Sequence, residues 1–587
     1  MPTILSAACL AAKAMPKYVI ALIDGRQEPA PEKGRIARHL NATLSKHGLL
    51  PIYIDVSQPL PDALSMVDVA GVLSWFDGRV PNPSGLSIWL DAQSDTCGSS
   101  LPEVMIGDPG GQALWTRLGT NETDIAILHD GTSARLETAP EWFAKQELIT
   151  IPPSRLIAPT LPDSAEPLAT LKATDGTRRA LGFQLKTRTW LSDKSVVAQD
   201  PRGPTIWSAN PDRIVEASTG HGPRPVPDLA VFQGRRIALA ILLADGWGQR
   251  SAATVQSSLG TAAHEFANDI LGSDGPVVTF GWPDPKIQPG LEDRAAFDAG
   301  VAFADRSHVV PVPITASANG IEFQTSFSLR LSRSKAGALH ATPQIIPPTL
   351  SFQHGEPAFG DASGLHKRNT AAAQGDIPWP SGPDTLVMRA DDLLNFSARE
   401  AIKNARQVHS SSMRNAMDIS RYAAWLAGAA STRLVRKTSN TWYIRDRGDL
   451  QTVRVDRAEE WALDAEKSKG VLGARRFGPS LFVTVDPAHD APIMALTPRS
   501  DTDIVLTGQM IGIVEAGPTL ANMSVAGCQT QISAVGHGHI IFRAMHRPEV
   551  TADSTLLAVT SVGNGKWRVV LPSAKSPKTL TFAVGCN

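Results

Sequence analysis

At 587 residues the chain is too long for a single hydrophobic core, and its length alone predicts about three to four domains. Hydrophobic residues make up 42% and charged residues 19%, a globular balance. Lys and Arg number 56 against 57 Asp and Glu, so no basic face is implied, which argues against nucleic acid as the main partner; no apolar run is long enough to span a bilayer.

Residues 1–15 carry a small-residue apolar run, Ile4 to Ala14, that ends in Ala-Lys-Ala. It resembles the tail of a secretory signal with an A-x-A cleavage site, although the basic n-region is missing. An exported protein, periplasmic or secreted, is the expectation, with a disordered leader as the alternative. From Lys17 to about residue 150 the pattern is α/β. Tyr18 to Ile23 reads as a buried strand, and Ile36, Leu40 and Leu44 form one face of a helix. Further strands are predicted at Pro51–Val56, Gly71–Phe76 and Glu103–Asp108. Strands alternating with helices predict a doubly wound parallel sheet. No G-x-G-x-x-G follows the first strand, so no dinucleotide site is predicted. Asp24, Asp77 and Asp108 fall at successive strand ends, where such sheets bind ligands and where turns and helix caps also use aspartate.

Residues 151–228 are Pro- and Thr-rich and read as a β-rich connector. It ends in Gly222-Pro223-Arg224-Pro225-Val226-Pro227-Asp228, whose alternating prolines cannot continue a helix or central strand. Residues 229–495 open with an apolar run, Arg235 to Ala244, that stops at Asp245-Gly246. This reads as a buried strand delivering one carboxylate to the rim of a sheet or barrel; an ordinary Asp-Gly turn reads the same way. Candidate strands at Val277–Phe280 and Ser307–Val312 follow, then a Gly/Ser/Pro-rich segment to about 380, then a helix-rich stretch from Asp391 to Ala430 containing His409. The spacing is that of an interrupted α/β barrel. Residues 496–587 carry short strands separated by Gly, Asn and Pro and predict a β-sandwich. Of the four cysteines, Cys528 and Cys586 lie in this tail, either bridged or as two buried thiols; a bridge fits an oxidising compartment.

Several other groups invite a chemical reading. His537 and His539, on an alternating strand, form a candidate metal pair or a solvated strand face. Asp486, His489 and Asp490 make the densest acidic and histidine cluster, on a loop marked by Pro487. His264 and Glu265 follow Asp245 on a helix. No Walker A, G-x-S-x-G or Cys/His nucleophile pattern is present.

Pro225-Val226-Pro227-Asp228, Gly234-Arg235-Arg236-Ile237 and the strand ending in Asp245-Gly246-Trp247 together resemble the opening of the deacetylase domain of PelA-type exopolysaccharide proteins. Gly71 to Phe76 and Met105 to Asp108 are similar to that family's flavodoxin-like domain, and Thr441 to Leu450 resembles its Trp-x-x-Arg-Gly segment. The resemblance implies a flavodoxin-like domain, a NodB-like distorted (β/α) barrel and a C-terminal β-sandwich. It also implies zinc or another divalent metal held by one Asp and two His, with a second Asp as general base and a later His as acid. Carried over, Asp245 matches the metal aspartate and His409 the late catalytic histidine. The base position falls on Leu243 and the two metal-histidine positions on Ile314 and Ala318. No His-x-x-x-His occurs in the chain. The expectation is therefore a deacetylase-like pseudoenzyme that needs no metal and binds polysaccharide, or scaffolds exopolysaccharide synthesis or export proteins. An active metal-dependent hydrolase with a non-standard site, for example Asp245 with His409 and Asp486, and a structural envelope protein are the alternatives.

Overall fold

The computed structural model describes residues 15–61 except 32–33, 69–93, 100–128, 134–138, 142, 156–173, 178–199, 205–207, 209–219, 224–243, 277–283, 309–314, 326–333, 339–346, 383–389, 414–499, 501–506, 510–572 and 576–585. The chain is mixed α/β, rich in sheet, and divides into two compact units: residues 1–222 with 326–345, and residues 223–325 with 346–587.

The first unit is organised on a ten-stranded sheet. Its centre is four parallel strands in the order β2-β1-β3-β4: β1 (Tyr18–Ile23), β2 (Leu50–Asp55), β3 (Val69–Asp77) and β4 (Glu103–Asp108). Each is nearly all apolar because both faces of a parallel sheet are covered by helices. The alternation along β1 shows this directly. Val19, Ala21 and Ile23 pack with Ile36, Leu40 and Leu44 of helix α1 (Arg35–Lys46). Ile20 and Leu22 pack with Leu86, Trp89 and Leu90 of α2 (Pro83–Ala92), together with Leu114 and Trp115 of α3 (Gln112–Arg117). The helix leaving β1 and the helix leaving β3 thus cover opposite faces.

Beyond β4 the sheet continues through segments read from sequence as a connector. These are β5 (Glu166–Ala173), β6 (Arg178–Leu185) and β7 (Arg188–Leu191), with β7 parallel to β4 and the rest antiparallel. On the far side, strand Ser326–Arg333 pairs with β2 through Leu329 and Ile52, and strand Leu339–Ile346 lies outside it. Both come from the stretch whose composition suggested only an irregular Gly/Ser/Pro-rich segment.

The second unit opens with strand Pro225–Pro227 and then β8 (Arg235–Leu243). β8 is the hub of a six-stranded sheet with β9 (Val278–Pro283), β10 (Val309–Ile314) and β11 (Asp384–Arg389). Ile241 is paired with both Thr279 of β9 and Val387 of β11, so β8 is flanked on both sides by parallel strands. Among the described residues no closed barrel is seen: β10 pairs only with β9 and β11 only with β8.

Helix α4 (Ile419–Ser431) follows, capped at its start by the Asp418 side chain, which accepts from Arg421 N at 2.9 Å. From Arg433 to the C-terminus the described residues are strands and turns, so the β-rich region begins well before residue 496. Its labelled strands are β12 (Thr452–Val455), β13 (Trp461–Asp464), β14 (Val471–Phe477), β15 (Ser480–Val485), β16 (Ile493–Pro498), β17 (Ile511–Ala516), β18 (Thr519–Ala526), β19 (Gln529–Val535), β20 (Gly538–Ala544), β21 (Lys566–Leu571) and β22 (Lys578–Ala583). β17, β20 and β21 lie in one sheet; β18, β19 and β22 lie in another. Ile513, Phe542 and Val569 of the first pack with Leu520, Ile532 and Phe582 of the second, so the two sheets share one apolar core.

Candidate functional site

Two strand rims were candidates for chemistry. In the first unit, the change of helix face between β1 and β3 creates a topological switch point, and Asp24 and Asp77 sit at the C-terminal ends of those strands. Asp24 is buried, at 3% exposure. Its carboxylate accepts from the Arg26 backbone N–H at 3.1 Å and from Arg26 Nε and Nη2 at 2.9 and 2.6 Å. The hydrogen bond from the Arg26 side chain holds the Asp24 carboxyl below the usual aspartate range, outweighing its burial. Arg26 Nη2 also donates to the Arg79 carbonyl at 3.1 Å, tying the β1 loop to the β3 loop.

Its neighbours are engaged in the same way. Asp55, ending β2, accepts from Gly25 N at 2.7 Å and Ser57 N at 2.8 Å; a Cβ at Gly25 would collide with this carboxylate. Asp77 accepts from Arg35 Nη2 at 2.8 Å, and Asp108 from Gly110 N at 2.9 Å. Each carboxylate thus has a donor from its own rim, and the group has the chemistry of turn and cap residues. Among the described residues no cluster of three His, Cys, Asp or Glu side chains suits a metal ion.

The second rim is the C-terminal edge of β8 and its parallel neighbours. Leu243 is the last residue of β8 and Ile314 the last of β10, with β9 between them. Asp245, His409, Ala318, His264 and Glu265 lie outside the described residues. In the register that the family resemblance implies, Leu243 stands at the general-base position and Ile314 at a metal-histidine position, and neither residue type carries a donor atom for zinc.

The remaining clusters resolve into structural devices. Asp486 is buried, and its carboxylate accepts from Ala488, Asn522 and Met523 N–H groups at 2.9, 3.0 and 2.7 Å. It thereby holds a bulge in β18, where Asn522 has φ 56°. His489 and Asp490 shape the same loop, and Gly470 leaves room for the His489 ring. The supposed histidine pair also separates: His537 is exposed in the turn before β20, while His539 Nε2 is 3.0 Å from Glu515 Oε1. Cys528 is disulfide-bonded; Cys586 lies outside the described residues.

In the segments that carried the family resemblance, Asp228, Gly234, Arg235 and Arg447 have structural roles. Asp228 has no exposed surface; it accepts from Ala230 and Val231 N–H at 2.9 and 2.7 Å and pairs with Arg454 at 3.1 Å. Complete burial pushes its carboxyl upward against the pull of Arg454. Arg235 Nη2 donates to the His539 carbonyl at 3.0 Å and lies 3.6 Å from Glu515, which is also paired with Arg475. Gly234, at φ 71°, lets the chain approach the Val514 carbonyl closely. Arg447, in the Thr441–Leu450 segment, clamps five carbonyls of two loops. The role of Arg447 was not visible in sequence, because its partners are main-chain atoms, which leave no residue pattern.

The chain matches no family model and no curated protein.

Proposed function

We propose that this protein is a catalytically degenerate polysaccharide deacetylase-like protein that binds carbohydrate, or scaffolds its handling, during exopolysaccharide production or export. The observation that carries the reading is the pair of apolar strand ends. β8 and β10 run parallel in one sheet and terminate in Leu243 and Ile314, where a proton-accepting carboxylate and a metal-binding imidazole would be needed. The order β2-β1-β3-β4, continued by parallel β7, supports a flavodoxin-like reading of the N-terminal unit. The bridged Cys528 supports a periplasmic or secreted location.

The test combines metal analysis, acetate release and polymer retention. The purified chain should carry zinc well below stoichiometry, release no acetate from N-acetylated amino-sugar oligomers, and be retained on a partially acetylated amino-sugar polymer. Stoichiometric zinc that disappears in Asp245→Ala, accompanied by acetate release, would establish an active hydrolase and overturn the degenerate reading. Failure to bind any such polymer would overturn the carbohydrate reading and leave a protein-contact role in the envelope.

A further inference from the structure

The second unit contains a cleft of about 450 Å³ lined by Glu459, Glu460, Trp461, Pro498 and Arg499. That volume falls within the ~300–1,000 Å³ of small-ligand pockets. The local fold explains why these residues meet. Trp461 N donates to the Ala458 carbonyl at 2.9 Å, so Glu459 and Glu460 occupy the centre of a β-turn that leads into β13. Trp461 then stands directly opposite Pro498 in the antiparallel pair of β13 and β16. Arg499 N donates to the Glu460 carbonyl at 2.7 Å and closes the far side. From behind, Arg476 donates to the carbonyls of both Ala458 and Trp461 and pairs with Asp503 at 2.7 Å, which fixes the frame.

The two carboxylates of this cleft have no partner among the described residues. Both glutamates are exposed, and among the described residues neither carboxylate accepts a hydrogen bond or forms an ion pair. The Arg499 guanidinium could neutralise one of them, yet it lies 3.6 Å from Asp503 and donates to the Glu459 backbone carbonyl at 3.4 Å. Trp461 itself is partly exposed. An exposed part of an indole beside two free carboxylates is the chemistry that binds a cation with an apolar body, through cation–π attraction and charge-assisted hydrogen bonds.

We infer that this cleft is a saccharide subsite that takes an amino sugar bearing a free ammonium group. The sugar's apolar face would lie against Trp461, its ammonium on Glu459 and Glu460, and a ring hydroxyl on Arg499. This inference rests on the carbohydrate-binding proposal and deepens it, because it assigns binding to a cleft on a different sheet from β8.

The test is calorimetric titration of the full chain with a glucosamine oligomer and with its fully N-acetylated counterpart. The free-amine oligomer should bind more tightly, and its affinity should fall with added salt. In Glu459→Gln/Glu460→Gln, which preserves shape, its affinity should drop about tenfold or more. Trp461→Ala, checked for an unchanged unfolding midpoint, should show a comparable loss. Equal affinity for the two oligomers, or undiminished binding in the double glutamine variant, overturns the subsite; retention on partially acetylated polymer in the same preparation would show that the carbohydrate-binding proposal survives. Absence of binding to both oligomers and to the polymer overturns both.

Discussion

Arg447 shows how much of this chain's charge is used for architecture. Its Nη1 donates to the carbonyls of Gly448 and Leu450, and its Nη2 to those of Asp486, Pro487 and His489, at 2.7–3.1 Å. A planar guanidinium can fan out in this way; a lysine ammonium has neither the fork nor the number of donors. Arg447→Ala should destabilise the second unit by about 2–4 kcal/mol, since it removes the donors of five carbonyls at once, two of them in buried bonds. Arg447→Lys should recover little of that in urea denaturation, because the buried ammonium would still leave carbonyls unpaired. Asp24 carries a pH dependence of known sign. Its folded-state pKa lies below the ordinary value because Arg26 bonds the ionised form. The stability it adds is therefore fully present above the unfolded aspartate pKa of about 4 and is lost as pH falls through the lower folded value. Asp24→Asn should flatten that part of the acid-unfolding curve, and an unchanged curve would show that Arg26 does not stabilise the charge.

At the scale of elements, β8 connects the fold to the functional question. Its buried side chains include Ile237, Leu239 and Leu242, and its first residue, Arg235, is anchored on Glu515 and the His539 carbonyl. Leu242→Ala should cost about 2–5 kcal/mol, the range for opening a cavity in a packed core, measured by urea unfolding. Glu515→Gln should cost a similar amount for a different reason: it leaves Arg235 and Arg475 beside a neutral partner. Strands such as β1, β3 and β8 were legible in sequence because burial on both faces writes a continuous apolar run. The strand Ser326–Arg333 was not. It carries a period-two pattern in Phe327, Leu329 and Leu331, but within a biased segment, and its partner β2 lies far away in sequence. Two of the clusters were legible as residue types but not as contacts. Asp486 with His489, and His537 with His539, are close in sequence, yet each aspartate or histidine is claimed by a backbone donor, an ion pair or solvent. Sequence proximity reports neither which way a side chain turns nor which main-chain donors reach it. The Trp461 cleft was missed for the converse reason, since Pro498 meets Trp461 only through strand pairing.

For the whole molecule, the division into two units predicts how it unfolds. The core around β1 and β3 and the core shared by the two C-terminal sheets are built from separate sets of residues. A chain with more than one core is not bound to unfold in a single step, and scanning calorimetry should resolve two transitions or a calorimetric enthalpy exceeding the van't Hoff value. The disulfide assigns one of them. β22 pairs with β19, placing Ala583 opposite Gln529, and Val584 N donates to the Cys528 carbonyl at 3.0 Å. The chain therefore reaches Cys528 two residues before Cys586, whereas Cys9 and Cys97 belong to the first unit. A Cys528–Cys586 bridge would remove about 4 kcal/mol of chain entropy from the unfolded second unit. Reductant, or Cys586→Ser, should lower only the transition of that unit and leave the other in place. A shift of both transitions on reduction, or a Cys528 peptide recovered in linkage with Cys97, would show that the bridge joins the two units instead.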